Sequence, residues 1–172
     1  MRGIGSQQHR RKFSILSASR RWLGSCSVRV PEELDPVMTV ATPGSSRILV
    51  VDDEPFIVQL IFDMLSDEGY VVDTAANGRL ALEQIRQRPY DLILSDLRMP
   101  DLDGLALYRE LEQSWPELLC RIVFVSGTIE QPEYRSFLQD TGVPVLPKPF
   151  DLDQLREVTA RHLAAGCSTA RA

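Results

Sequence analysis

The sequence predicts an α/β fold in which five parallel strands form one doubly wound sheet with helices on both sides. Two observations support this prediction. After residue 46, short apolar runs alternate with segments of helical period, which is typical of successive βα units. The first, third and fourth runs are apolar throughout, as expected for strands that are buried on both faces.

The strands and their order follow from these runs. The second segment is more polar than the others, and the fifth contains Pro144, which cannot donate a hydrogen bond to a neighbouring strand. Both segments therefore suit the edges of the sheet, which gives the order 2-1-3-4-5 of (βα)5 flavodoxin-like sheets. The five strands are predicted at 48–51, 70–74, 92–94, 122–125 and 143–146.

Helices are expected between the strands and after the last one. The first begins near Pro55, carries apolar residues at helical spacing and ends before Gly69. The last has Asp151 and Asp153 in its opening turn, where acidic residues suit the helix dipole. The other three are predicted at 79–88, 104–113 and 132–140.

The predicted domain covers 47–165 and is followed by a tail at 166–172. Residues 1–46 carry seven Lys and Arg against three acids and show no sustained apolar period, so they are not core material. They are a disordered basic leader, an Arg- and Ser-rich targeting segment, or an untranslated extension with Met38 as the true start. We favour the untranslated extension, because MTVATPGSS after Met38 already resembles a short leader into the first strand.

The charge of the domain limits its partners. Residues 47–172 carry twelve Lys and Arg against twenty-one Asp and Glu, within a chain of net charge -5. Phosphate contacts require a basic face, so we expect no nucleic-acid partner. No apolar run is long enough to cross a bilayer, so we expect no membrane partner and a cytoplasmic protein.

Polar side chains follow four of the five predicted strands. The first strand ends in VVDDE with Asp52 and Asp53, and the third ends in LILSD with Asp96. The fourth ends in VFVSG with Ser126, and the fifth in VLPKP with Lys148. In open parallel sheets, ligands bind outside the carboxyl ends of the strands, where the strand order reverses. We therefore expect these five side chains to form one site.

The residue types predict phosphoryl chemistry with a metal ion. Three carboxylates at one edge repel one another unless a cation joins them, and Mg²⁺ prefers oxygen ligands. Asp53 and Asp96 would form that site, with Asp52 reached through water. Lys148 and Ser126 supply a positive charge and a hydroxyl donor for phosphoryl oxygens. No GxxxxGK[ST] loop is present, and an aspartate beside a metal can itself be the nucleophile.

Four motifs occur in order and at regular spacing along 47–165. They are VVDDE, PYDLILSDLRMPDLDG, VFVSG and KPF. Together they resemble the receiver domain of bacterial two-component response regulators. This resemblance implies that Asp96 is the phosphoacceptor and that a sensor histidine kinase or a histidine phosphotransfer domain supplies the phosphoryl group. It also implies that Asp52, Asp53, Asp96 and the main-chain carbonyl of Arg98 hold Mg²⁺.

The resemblance assigns roles to the residues after the fourth and fifth strands as well. Ser126 would hydrogen-bond the phosphoryl group, Lys148 would pair with it, and the small Gly127 would keep the acceptor accessible. Pro149 would follow a cis peptide bond. Many receivers carry Tyr or Phe three residues before the lysine, but this chain has Val145. That departure puts the usual aromatic relay to the helix surface in doubt.

These features predict a single-domain response regulator that signals to a partner protein and catalyses only its own phosphorylation and dephosphorylation. A phosphorelay intermediate and a receiver detached from a hybrid kinase are the alternatives. A haloacid-dehalogenase-type phosphatase fits less well, because such enzymes place DxD after their first strand, whereas Asp52 and Asp53 are adjacent.

The remaining aspartates of LSDLRMPDLDG have a simpler interpretation. Asp101 and Asp103 lie before the third helix, where aspartate favours turns and helix starts, and Gly104 eases the bend. We therefore predict a structural role for both. Tyr134 and Phe137, at helical spacing in the fourth helix, are predicted to be core residues.

Overall fold

The computed structural model describes residues 46–127 and 129–166. The predicted leader before Ser46 and the tail after Gly166 lie outside the described residues, so their interpretation stays a prediction. Among the described residues, no helix combines the length and the apolar character that crossing a membrane requires.

The described chain forms a five-stranded parallel sheet with the order β2-β1-β3-β4-β5, which confirms the predicted fold. The register of the central strands is even: Val51 at the end of β1 pairs with Ala75 of β2 and with Ser95 of β3. The carboxyl ends of these strands therefore lie side by side at one edge of the sheet. The strands are β1 (Arg47–Val51), β2 (Val71–Ala75), β3 (Leu92–Ser95), β4 (Ile122–Ser126) and β5 (Val145–Pro147).

Helices cover both faces of the sheet. The core on one face contains residues of α2, α3 and α4, and the core on the other contains residues of α1 and α5. β1 supplies both cores, since Leu49 and Val51 point to the first and Ile48 and Val50 to the second. The helices are α1 (Pro55–Asp67), α2 (Gly78–Ile85), α3 (Gly104–Ser114), α4 (Pro132–Thr141) and α5 (Leu152–Ala165).

Side-chain caps fix the starts of three of these helices, two of them with aspartate. Asp103 precedes α3, and its Oδ1 accepts a hydrogen bond from the backbone N–H of Ala106 at 2.8 Å. Asp151 precedes α5 and exchanges hydrogen bonds with Gln154, whose side chain accepts from the Asp151 N–H. Each cap satisfies backbone donors that the helix leaves open, which stabilises the helix by about 1 kcal/mol.

Three features of the fold differ from the prediction by more than a single residue. β5 begins at Val145, because Pro144 takes part in the pairing only through its carbonyl, which accepts from the Phe124 N–H at 3.0 Å. α2 ends at Ile85, whereas the prediction extended to residue 88. Pro89 disfavours helical geometry at the residue before it, Arg88. A short 3-10 helix at Pro116–Arg121, which was not predicted, connects α3 to β4.

Candidate functional site

Asp52 and Asp96 lie next to each other at the carboxyl edge of the sheet. Each is the first residue after its strand, and the parallel pairing continues through both: the Asp96 N–H donates to the Val51 carbonyl at 2.8 Å, and the Asp52 N–H to the Ala75 carbonyl at 3.1 Å. Both side chains are buried, with 2% and 7% of the residue exposed. The site therefore holds two carboxylates that have little access to water.

Lys148 brings a cation to this pair. Its Nζ lies 2.6 Å from Oδ2 of Asp52, 3.2 Å from Oδ2 of Asp96 and 3.6 Å from Oε1 of Glu54. The lysine directly follows β5, and its backbone N–H donates to the Ser126 carbonyl at 3.0 Å. The Lys148–Pro149 peptide bond is cis, as predicted. The residues that follow β1 and β3 thus both contact the ammonium group of the lysine that follows β5.

The burial of these charges changes their ionisation. Burial raises the pKa of the Asp52 carboxyl, against the opposing effects of the Lys148 hydrogen bond and the Glu54 N–H. Burial alone would lower the pKa of Lys148, but the hydrogen bond to Asp52 and the charges of Asp96 and Asp52 outweigh it, so that pKa is raised. Lys148 is therefore an ammonium ion at neutral pH and the counter-charge of the site.

The backbone after β3 holds the Asp96 side chain in one orientation. Oδ1 accepts from the N–H groups of Leu97 at 2.6 Å and Arg98 at 3.4 Å, so Oδ2 is the oxygen that contacts Lys148. Gly104 closes this loop with a hydrogen bond from its N–H to the Leu97 carbonyl. A Cβ at position 104 would lie 2.3 Å from the Asp96 carbonyl oxygen, so only glycine fits.

Asp101 and Asp103 have the structural roles that the sequence predicts. Asp103 caps α3, and Asp101 adopts a left-handed conformation with φ of 66°. The Oδ2 of Asp101 accepts a hydrogen bond from the Asn77 side-chain amide at 3.2 Å, which connects the loop after β3 to the start of α2. These contacts shape the loop that follows Asp96.

A cavity of about 470 Å³ opens over these groups. Asp52, Glu54 and Asp96 each place one carboxylate oxygen within 4.8 Å of the others, a donor set that suits a hard divalent cation. Glu54 was not predicted as a site residue, although it is the last residue of VVDDE. Its side chain is exposed, and it precedes α1. The cavity is lined by Asp53, Glu54, Asp96, Arg98, Gly127 and Lys148.

The other predicted site residues lie around this cavity. Asp53 and Arg98 line it, but Asp53 is not part of the group of clustered carboxylate oxygens, so the metal-binding roles of both residues stay predictions. Ser126 is fully buried at the end of β4, directly before Gly127, which lines the cavity. Its contact with a phosphoryl group also stays a prediction.

Aromatic residues pack behind the site, between β4, α3 and α4. The ring of Phe137 lies edge-on to Tyr108 at 5.0 Å and to Phe124 at 5.9 Å. Tyr134 is buried, so the prediction of core positions for Tyr134 and Phe137 is confirmed, with Phe137 partly buried. Val145 packs against the same core from β5.

The fold and the site together define a flavodoxin-like α/β domain with two buried carboxylates and a lysine at the carboxyl edge of its sheet. Residues 48–160 match the model of the response regulator receiver domain, and the chain belongs to this family. Membership makes the domain a signalling module, and it removes the haloacid-dehalogenase alternative.

Individual relatives share this domain and differ in the rest of their length. Sensor kinase CckA of Brucella abortus is 38% identical over 114 residues, which cover 65% of this chain and 12% of the kinase. Transcriptional regulatory protein ZraR of Escherichia coli O157:H7 is 35% identical over 72% of this chain and 27% of its own length. The chain thus spans about a quarter or less of these two relatives.

A solved structure supports the same relationship. Response regulator TrrA of Thermotoga maritima, in complex with Mg²⁺ and BeF, superposes with a TM-score of 0.59 at 35% identity. The match covers 68% of this chain and 98% of TrrA. The similarity therefore extends over nearly the whole of a receiver that was crystallised with Mg²⁺.

Proposed function

We propose that this domain accepts a phosphoryl group on Asp96 from the phosphohistidine of a sensor histidine kinase or a histidine phosphotransfer domain, and that it signals by changing conformation. The observation that carries the proposal is the position of Lys148, whose ammonium lies between the buried carboxylates of Asp52 and Asp96. A buried carboxylate with a fixed cation and an open cavity beside it fits a nucleophile for phosphoryl transfer.

The transfer exchanges one bond to phosphorus for another. A carboxylate oxygen of Asp96 forms a bond to phosphorus while the bond between phosphorus and the histidine nitrogen breaks, and the electron pair of that bond stays on the imidazole. The product is an acyl phosphate. The Lys148 ammonium and the Ser126 hydroxyl would then contact phosphoryl oxygens, which carry more charge than the carboxylate alone.

We propose Mg²⁺ as the cofactor of this step. When bound, Mg²⁺ supplies positive charge to the phosphoryl oxygens. The clustered oxygens of Asp52, Glu54 and Asp96 support such a site, as does the TrrA complex with Mg²⁺. The family resemblance adds Asp53 and the Arg98 carbonyl as ligands, and both residues line the cavity.

A protein donor fits the surface beside the site. Phe56, in the first turn of α1, is 91% exposed and lies two residues after Glu54. An exposed aromatic ring of this kind suits contact with a protein partner. We propose that the reaction takes place in the cytoplasm. We propose no nucleic-acid partner, because residues 47–172 are acidic.

Phosphorylation of single variants tests the assignment. Acetyl phosphate with Mg²⁺ should add one alkali-labile phosphoryl group by intact mass, and Asp96→Asn should abolish it. Asp101→Asn is the matched control, since Asp101 lies in the same loop but contacts Asn77. Full labelling of Asp96→Asn, or loss of labelling only in Asp101→Asn, would refute the role of Asp96.

A second candidate is a phosphorelay receiver related to those of sensor kinases, in place of a single-domain regulator. The 38% identity to sensor kinase CckA favours it. The phosphorylated chain distinguishes the two: a relay receiver passes its phosphoryl group rapidly to a histidine phosphotransfer domain, whereas a regulator retains the group and binds a reader protein.

A further inference from the structure

A second cavity, of about 390 Å³, lies away from the phosphoacceptor. Its walls come from the segment that leads into β3, including Arg86 and Arg88, and from the segment that leads into β4, including Trp115 and Arg121. Both segments precede their strands, whereas Asp96 follows β3. The cavity therefore lies at the amino edge of the sheet, opposite the phosphoacceptor site.

The charge of this cavity is opposite to that of the domain. Arg86, Arg88 and Arg121 line it together with one acid, Glu117, although residues 47–172 contain twenty-one Asp and Glu against twelve Lys and Arg. The concentration of guanidinium groups indicates a preference for anions, because Arg presents a planar fork of donors that matches phosphate and carboxylate oxygens.

These arginines keep donors available for a ligand. Nη1 of Arg88 donates to both carboxylate oxygens of Asp73 at 3.4 and 3.5 Å, and Nη1 of Arg121 lies 3.8 Å from Asp91, distances longer than those of close charge-assisted hydrogen bonds. Arg121 also donates one hydrogen bond to the Tyr90 carbonyl. Both side chains are partly exposed, and each guanidinium has five N–H donors, so these contacts leave donors free for a bound anion.

A flat surface lies beside the arginines. The guanidinium carbon of Arg86 is 5.9 Å from the centroid of the Trp115 ring, within the range of a cation–π contact. Trp115 is partly buried and packs against the core, which holds its ring in place. Planar groups stack well on indole and guanidinium surfaces, so the cavity combines an anion site with a stacking site.

We propose that this cavity binds a mononucleotide, with the phosphate held by Arg88 and Arg121 and the base stacked on the Arg86 guanidinium, which lies over the Trp115 ring. Its volume lies within the range of about 300 to 1,000 Å³ that is usual for small-molecule sites. This function is separate from phosphotransfer, because no residue of the phosphoacceptor site takes part in it.

Tryptophan fluorescence of the full chain tests the proposal. The chain has two tryptophans, so Trp22→Phe leaves Trp115 as the reporter. AMP and GMP should change its emission saturably. Adenosine and inorganic phosphate, which each offer half of the recognised chemistry, should bind at least about tenfold more weakly.

Single substitutions locate the site. Arg88→Ala and Arg86→Ala should each weaken nucleotide binding by about tenfold, since each removes contacts made by a charged donor. Arg161→Ala on α5 is the matched control, because it removes the same charge from an exposed position and should leave binding unchanged. Asp96→Asn should also bind normally, which separates this result from the phosphoacceptor assignment.

Three results would overturn the proposal. The first is the absence of saturation below about 5 mM nucleotide. The second is an equal loss of affinity in Arg161→Ala and the cavity variants, which would indicate a general charge effect. The third is equal affinity for inorganic phosphate and nucleotide, which would show that the base is not recognised.

Discussion

The charged side chains at the two edges of the sheet differ in burial and in the distances of their ion pairs. At the carboxyl edge, the carboxylates of Asp52 and Asp96 are buried and Lys148 is partly buried, with contacts of 2.6 and 3.2 Å between them. At the amino edge, Arg88 and Arg121 are partly exposed, and their nearest carboxylates are 3.4 and 3.8 Å away. Buried charges require compensation, whereas exposed charges need little. Substitutions at the carboxyl edge should therefore change both stability and phosphorylation. Substitutions at the amino edge should change stability and leave phosphorylation unchanged.

The largest effect on stability is expected from removal of the Lys148 charge, which lies between two buried carboxylates. Lys148→Met leaves Asp52 and Asp96 facing each other without a counter-charge, which should lower the free energy of unfolding by about 3–5 kcal/mol. Mg²⁺ should restore part of this loss, because a divalent ion can replace the ammonium. Urea denaturation with and without Mg²⁺ measures both effects.

The control for this substitution is Arg161→Met, which breaks an exposed pair with Glu157 and should cost less than about 1 kcal/mol. Equal stability of Lys148→Met and the wild type would show that the two carboxylates do not need the lysine charge in the folded protein.

A smaller effect on stability is expected from substitution of Gly104 in the loop that follows Asp96. The Cβ of Gly104→Ala would lie 2.3 Å from the Asp96 carbonyl oxygen, so backbone must move, which should cost about 1–3 kcal/mol and slow phosphorylation. Gly127→Ala is the matched control at the same cavity, since its Cβ would lie 3.7 Å from the Lys148 Cβ, an ordinary contact. Denaturation midpoints should be lower only in Gly104→Ala, and the initial phosphorylation rate of Gly104→Ala should be lower than that of the wild type.

The smallest effect is expected in the pH dependence of stability, through the Tyr90 phenol at the amino edge of the sheet. Burial, with the hydrogen bond and charge of Asp73, raises the pKa of Tyr90 from 10 to about 12. Because the folded pKa lies above the unfolded value, the stability that the phenol contributes is present below pH 10 and is lost as the pH rises towards 12. The wild type should therefore lose more stability over this window than Tyr90→Phe, and phosphorylation at neutral pH should be equal in both. Parallel losses in the two proteins would contradict this assignment.

Sequence patterns predicted the features that depend on local periodicity and strand adjacency. Asp52 and Asp96 could be placed together because each ends an apolar run and parallel strands end at a common edge. Asp103 could be recognised as a helix start from its position before Gly104.

The features that sequence did not predict depend on three-dimensional placement. Glu54 joins the carboxylate group only through the turn between β1 and α1, and its exposed side chain carries no apolar pattern. The cation–π contact between Arg86 and Trp115 joins two connecting segments that are far apart in sequence. The start of β5 depends on Pro144, whose carbonyl pairs although its nitrogen cannot.

The three rings behind the site have a mechanical consequence. Phe124 lies two residues before Ser126 on β4, and its ring contacts Phe137 of α4, which also packs edge-on to Tyr108 of α3. Such interlocked rings do not slide independently, because each contact depends on ring angle as well as distance. We therefore expect α4 to move together with the end of β4. A displacement at Ser126 would then change the position of the exposed side of α4, even though Val145 stands where many receivers have Tyr or Phe.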